Sequence, residues 1–318
     1  MLRQLLALLA DGQFHSGDEL GQALGVSRAA VWKQLKKLED LDIPCSSVKG
    51  KGYRLQDAIE LLDEDEIQGC LSYPLDRMDV LLDTTSTNTY LFSQASEHMG
   101  KRYVALAEKQ TGGRGRRGRT WVSPFGKNIY MSLLVTMPGQ IAALEGFSLL
   151  VAIAVERALV QLGIDKVGLK WPNDVYLDGR KLAGILLESS QSQPNYCQVV
   201  IGVGLNLSLS DSDAEKIEQP WAALRQYCPN LSRNQVAGVL LNQLLWAVNE
   251  FQRDGFAPWI SYWAERDIFY RREVALTSVN DRKQGVVKGV NRKGELLLQT
   301  ERGIDVVVAG ELSVRSVD

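Results

Sequence analysis

Histidine is nearly missing: two in 318 residues, His15 and His98, far apart in the chain. No G-x-S-x-G elbow and no cysteine–histidine pairing occurs. Nucleophilic catalysis by a triad therefore has no raw material, and no Walker A loop marks a P-loop nucleotide site. The four cysteines, Cys45, Cys70, Cys197 and Cys228, form no CxxC or Cys/His ligand spacing. That leaves reduced structural thiols and points to the cytoplasm. No apolar run reaches the length of a membrane span. The leucine-rich start stops at Asp11-Gly12 without a small-residue cleavage site, so it is read as a first helix rather than a leader. The formal net charge is −2, too near zero for bulk attraction to nucleic acid or membrane. Any such affinity must be local.

Local charge is present. Gly113–Arg119 reads Gly-Arg-Gly-Arg-Arg-Gly-Arg, just before Trp121. Guanidinium forks match phosphate and carboxylate and keep their charge at neutral pH. The glycines let the backbone move and approach a ligand closely. A loop that folds over a phosphorylated ligand, an arginine patch for nucleic acid and a solvated turn all fit this segment alone.

Three segments follow from pattern. In 1–61, Leu2, Leu5, Leu6 and Leu9 recur at helical spacing. Ser16 with Glu19 forms a capping box, and Gly25 offers a left-handed stop. Ser27 opens another helix with Val31, Leu35 and Leu38 on one stripe and Lys33, Lys36 and Lys37 on the other side. Two short strands joined through Lys49-Gly50-Lys51-Gly52 complete a winged helix-turn-helix. Ser27, Arg28, Lys33, Lys36, Lys37, Lys49 and Lys51 are its candidate DNA contacts. Trp32 falls on the border of the two faces, which leaves a core-edge role and DNA contact equally open. An acidic stretch at 57–66 marks the linker, with a short helix expected near Leu61, Leu62 and Ile67.

Residues 62–267 mix strands (78–82, 103–108, 128–136, 167–171, 175–177, 183–188, 198–205) with helices (86–97, 141–162, 232–252), predicting an α/β domain on one mixed sheet. Residues 268–318 read as five short strands (273–277, 285–290, 295–299, 305–308, 312–315) around turns that include Asn280-Asp281. Five strands in that length predict a small SH3-like barrel. The whole is an α+β multidomain chain.

Without a nucleophile, chemistry must run on positioning and charge. Four pieces fit: the Arg/Gly loop with Gln110 upstream; Ser86-Thr87-Asn88 at a strand-to-helix junction, where helix capping is an equal reading; Lys170-Trp171-Pro172-Asn173-Asp174; and Lys181-Leu182-Ala183-Gly184-Ile185-Leu186-Leu187-Glu188. In the last, a glycine inside a strand marks close backbone approach to a ligand; an edge-strand lysine is the plain alternative.

These stretches, with Gly202-Val203-Gly204-Leu205-Asn206, resemble the biotin–protein ligases, in the order and spacing of that family. The helix-turn-helix, the wing Gly50-Lys51-Gly52-Tyr53 and the end Gly310-Glu311-Leu312-Ser313 resemble its bifunctional members, which also repress the biotin operon. The resemblance implies ATP-dependent formation of biotinyl-5'-AMP, with Mg²⁺, and transfer of biotin to a lysine of the biotin carboxyl carrier protein of acetyl-CoA carboxylase. It implies that the adenylate is also corepressor, driving a homodimer onto an inverted-repeat operator. Ser86, Thr87, Asn88, Gln110, Arg114 and Gly115 would hold biotin's ureido head, with Trp121 and Gly184 against its ring. Arg116 and Lys181 would serve the carboxylate and α-phosphate. Arg119, Asn173 and Asp174 would lie near the nucleotide, Asp174 facing magnesium or the incoming amine. Asn206 and Trp221 would border adenine. Arg116, Lys181 and Asp174 are the catalytic candidates. A winged-helix sensor that never turns its ligand over, and a ligase whose first domain no longer regulates, are the rivals. The pairing of Arg116 with Lys181 argues against the first.

Overall fold

A computed structural model describes residues 1–277, 282–308 and 313–316. The first unit holds α1 (Leu2–Leu9), α2 (Gly17–Leu24), α3 (Arg28–Asp40), β1 (Cys45–Val48) and β2 (Gly52–Leu55). Its boundaries follow local chemistry. Ser16 accepts the Glu19 amide while Glu19 reaches back to the Ser16 amide, and Gly25 closes α2 at φ 66°. Ser27 accepts the Ala30 amide and opens α3. Leu5, Leu6, Leu9, Leu20, Val31, Leu35 and Leu38 make the core. β1 and β2 pair as an antiparallel wing, and β2 is tied back to His15 by a two-way backbone bridge.

The acidic linker enters α4 (Glu64–Gln68) through an Asp63 cap. Ile59 and Leu61 still pack with the first core, whereas Leu62 and Ile67 belong to the central one. The crossing is fastened on both sides. Glu60 accepts from Ser232 Oγ at 2.6 Å and from the Arg233 amide at 2.8 Å. The fully buried Glu108–Arg233 pair accepts the Leu62 amide and donates to the Glu60 and Asn128 carbonyls.

The central domain comprises β3 (Arg77–Leu81), α5 (Thr87–Ser93), β4 (Tyr103–Ala107), β5 (Ile129–Pro138), α6 (Phe147–Gln161), β6 (Val167–Lys170), β7 (Asp174–Leu177), β8 (Arg180–Gln193), β9 (Tyr196–Leu205), α7 (Asp211–Ala214), α8 (Arg233–Asp254) and α9 (Ile260–Arg266). Seven strands run in the order β3-β4-β5-β9-β8-β7-β6. β3 and β4 are parallel and the other pairs antiparallel. α6 and α8 cover one face with a continuous apolar core. On the other face α5 and the 3₁₀ turn after it pack, through Leu91 and Ala95, with Tyr103, Ala105, Leu134 and Val200. The remainder of that second face is the cleft described below.

The single helix expected over 141–162 is two pieces. A 3₁₀ turn, Ile141–Leu144, is separated from α6 by Gly146 at φ 81°, where a Cβ would collide with Phe256. The helix expected over 86–97 is α5 followed by a 3₁₀ turn, Ala95–His98. α9 was not expected. It buries Trp263 completely.

The last segment is a five-stranded antiparallel sheet: β10 (Glu273–Thr277), β11 (Arg282–Val290), β12 (Leu296–Thr300), β13 (Gly303–Val307) and β14 (Ser313–Ser316), in the order β13-β12-β11-β10-β14. Among the described residues the two end strands do not pair, so the ladder is open. The Asn280-Asp281 turn and Gly310-Glu311-Leu312 lie outside the described residues. Trp171 Nε1 donates to the Gly294 carbonyl at 2.9 Å, which ties this sheet to the strand carrying Lys170.

Candidate active site

The open half of the sheet face, the Arg/Gly loop and segment 216–221 enclose a cleft of about 980 Å³. All fifteen of the predicted small-ligand residues line it: Ser86, Thr87, Asn88, Gln110, Arg114, Gly115, Arg116, Arg119, Trp121, Asn173, Asp174, Lys181, Gly184, Asn206 and Trp221. The chain thus brings together four stretches separated by up to about a hundred residues of sequence.

One end is neutral and hydrogen-bonding. Ser86 occupies the cap position of α5, but its side chain makes no capping bond. Ser86, Thr87 and Asn88 are all buried. The Thr87 amide donates to Gln110 Oε1 at 2.9 Å. Asn88 Nδ2 donates to Glu188 Oε2 at 2.8 Å and to the Leu186 carbonyl at 3.2 Å. Ser132 Oγ lies 2.7 Å from Thr87 Oγ1 and 2.6 Å from Asn88 Oδ1. Ser132 was not singled out in the sequence, and Glu188, the last residue of the Lys181–Glu188 stretch, was given no role there. Ser132 is fully buried in the otherwise apolar run of β5, a signal that could have found it.

Three glycines shape the floor. Gly184 on β8 stands opposite Gly204 on β9, and Gly202 stands opposite Leu186. A Cβ at Gly204 would overlap the Trp121 indole, and one at Gly184 would come within 3.1 Å of it; one at Gly202 would overlap Asn88. The strand glycines admit these two side chains onto the sheet. The close approach expected at Gly184 is made by Trp121, which forms one wall of the cleft.

The Arg/Gly loop forms a hairpin. Trp121 N–H donates to the Gly113 carbonyl at 2.9 Å and Gly115 N–H to the Arg119 carbonyl at 2.7 Å, while Arg117 turns the chain at φ 59°. Gln110 braces both stems by donating to Ser123 Oγ at 3.1 Å, which donates to the Trp121 carbonyl. Arg114 pairs with Glu188 at 2.8 Å. Arg116 donates to Asn173 Oδ1 at 3.3 Å, and Asn173 Nδ2 is held by the Ile185 carbonyl. Burial, with Arg117 beside it, holds the Arg116 guanidinium below its ordinary pKa. An anion entering here would relieve both costs.

Lys181 is 15% exposed and pairs with Asp174 at 2.7 Å, with its ammonium 5.6 Å from the Trp121 ring centre. Segment 220–222 is stitched beside it: Lys181 N–H donates to the Pro220 carbonyl and Ala222 N–H to the Lys181 carbonyl. Asn206 Nδ2 holds the Ala222 carbonyl at 3.2 Å. Trp221 is thereby set at the far wall. Among the described residues no group of three or more His, Cys, Asp or Glu side chains could hold a metal by itself. No helix among them is long and apolar enough to cross a membrane.

Ser27, Arg28, Lys33, Lys36, Lys37, Lys49 and Lys51 are all exposed on the winged unit. Arg28 lies 3.8 Å from Asp18.

Fold and cleft define a helix-turn-helix unit joined to an anion-receiving enzyme domain. The comparisons agree. Residues 81–206 match the biotin/lipoate A/B protein ligase family and residues 1–54 an HTH domain. The chain is 40% identical to the bifunctional ligase/repressor BirA of Escherichia coli over 99% of this chain and 97% of that one. It is 29% identical to the protein of the same name from Bacillus subtilis, over 96% and 95%. The biotin protein ligase of Aquifex aeolicus, solved with biotin and ATP, superposes with a TM-score of 0.65 at 26% identity, covering 76% of this chain and all of that one. The chain belongs to the biotin protein ligase family, with the domain content of its bifunctional ligase/repressor members.

Proposed function

We propose that the protein joins biotin to ATP as biotinyl-5'-AMP, passes biotin to a lysine of the biotin carboxyl carrier protein of acetyl-CoA carboxylase, and uses the same adenylate as corepressor of biotin-synthesis genes. The observation that carries this is the order of chemistry along one cleft: a neutral hydrogen-bonding end, an indole wall, then Arg116 and Lys181. That sequence matches a ureido ring, an apolar ring system and a carboxylate meeting a phosphate.

In the first step a biotin carboxylate oxygen attacks the α-phosphorus and pyrophosphate leaves. Two anions must meet in line, so fixed cations lower the barrier by charge neutralisation and positioning. Arg116 and Lys181 supply that, and Lys181 exchanges its pairing with Asp174 for the transferring oxygens. Arg119, Asn173, Asn206 and Trp221 border the nucleotide. Ser86, Thr87, Asn88, Gln110 and the backbone at Arg114 and Gly115 hold the ureido group against Trp121 and Gly184. In the second step the carrier's lysine amine attacks the acyl carbon of the mixed anhydride and AMP leaves. Asp174 would serve magnesium or, in this step, the proton that the amine loses. The closed loop excludes water meanwhile.

Mg²⁺ characteristically takes one or two protein carboxylates and completes its shell with phosphate and water. The cleft fits that pattern, since Asp174 and Glu218 are carboxylates in its lining. Asp174 would hold the ion, whose contribution is to offset phosphate charge. The C-terminal sheet fits a small SH3-like barrel by its five short antiparallel strands and the register shift between Val287 and Val290.

Dimerisation has an edge to use. β7 pairs with β8 only as far as Gly184, so the stretch of β8 from Leu186 to Gln191 carries no strand on that side among the described residues. Such an edge can extend across a two-fold axis. Glu188 in this stretch holds Arg114 and Asn88, which links the ligand end of the cleft to the edge.

Two results test the ligase reading in this cleft. Purified protein with ATP and Mg²⁺ should charge the carrier lysine with biotin; charging with lipoate in its place would overturn the assignment. Gly202→Ala should displace Asn88 and weaken biotin binding by about 10- to 100-fold, the range for one lost hydrogen bond to a buried polar group, while folding is retained. Unchanged affinity by calorimetry would remove Asn88 from the ureido site.

A further inference from the structure

Trp32 lies on α3, the second helix of the helix-turn-helix, and is 49% exposed. It is absent from the apolar residues packed on the winged-unit core, whose stripe is Val31, Leu35 and Leu38. The Lys36 ammonium sits 4.0 Å from its ring centre. That contact holds the indole along the helix surface beside Lys33, one turn after the exposed Ala29. The indole thus gives this lysine-bearing face an apolar surface beside its charges. The partner offered to this face is duplex DNA. The lysines can bind phosphates and purine acceptors, but they cannot read the C5-methyl group of thymine, which needs an apolar surface in the major groove.

We propose that Trp32 is a base-reading residue that packs against a thymine methyl in each operator half-site. The proposal rests on the repressor reading of residues 1–61 and adds a specificity-determining group to it. Lys36 holds the ring in place and contributes its charge to the same groove.

The test uses duplex enriched from a randomised pool by wild-type protein loaded with biotin and ATP. Thymines of that duplex are replaced singly by uracil, which deletes only the methyl. Wild-type protein should lose about fourfold in affinity at one thymine per half-site, the effect of one buried methyl-sized group, and roughly 15-fold when both are replaced. Trp32→Ala should bind more weakly yet be indifferent to uracil at those two positions. Trp32→Phe should regain part of the sensitivity. Biotin transfer by both variants should match wild type, and their salt-dependent binding to non-specific duplex, which needs a folded winged unit, should be retained. An identical uracil profile in wild type and Trp32→Ala, or unchanged affinity in Trp32→Ala, would overturn the proposal. Failure of wild-type protein to enrich any duplex, with transfer intact, would instead overturn the DNA-binding reading and this proposal with it.

Discussion

Lys181→Ala should slow formation of biotinyl-5'-AMP by about 10²- to 10³-fold, the ~3–4 kcal/mol typical of losing one preorganised charge-stabilising group. The structure makes the loss two-sided. Lys181 and Asp174 neutralise each other in the cleft. Removing the ammonium takes away a cation that the transferring oxygens need and leaves a carboxylate facing the incoming phosphates. Lys181→Ala combined with Asp174→Asn should therefore recover binding of metal-free ATP while adenylation stays slow. Rapid-quench measurement of pyrophosphate release reads the first effect, and nucleotide calorimetry the second. Near-wild-type adenylation in Lys181→Ala would return this residue to an ordinary strand lysine.

Operator affinity should rise by two or more orders of magnitude when the protein holds the adenylate. The winged unit presents few cations, and Arg28 lies beside Asp18. Each neutralised phosphate contributes about 0.9 to the salt slope, so one such unit binds DNA weakly at physiological salt. Two units on a two-fold axis read an inverted repeat with a slope near twice as steep and gain about 10²–10⁴ from linkage. On the proposed reading the ligand would act through assembly, by way of Arg114 and Glu188 at the open stretch of β8. Sedimentation with operator titration, at concentrations where the empty protein is monomeric, gives the answer. Equal affinity with and without biotin plus ATP would make the winged unit a constitutive binder or a protein-interaction module.

The parts of the fold that were legible in sequence are those fixed by local chemistry. Ser16, Glu19, Gly25 and Ser27 set their helix ends through their own side chains or φ angles. α9 escaped because nothing local announces it: Trp259 at its start supplies no capping side chain, and its anchor Trp263 is buried by tertiary packing alone. The break at Gly146 was hidden between two apolar stretches that share one helical period. In the cleft, the Arg/Gly loop and Lys181 stood out as cations in apolar or glycine-rich surroundings. Ser132 and Glu188 did not, because their importance comes from Asn88, distant in sequence and brought near by the sheet. Gly184 was read as admitting a ligand, yet only the fold shows that Trp121 lies against it and that Gly202 and Gly204 make room for Asn88 and Trp121.

The central claim is that this cleft makes and keeps a biotin adenylate. The direct measurement is native mass spectrometry of the purified protein after incubation with ATP, Mg²⁺ and equal amounts of biotin and lipoate. One biotinyl-5'-AMP retained per chain, at the expense of ATP, is the predicted result. A lipoyl adenylate, or biotin and ATP bound side by side without condensation, would contradict it.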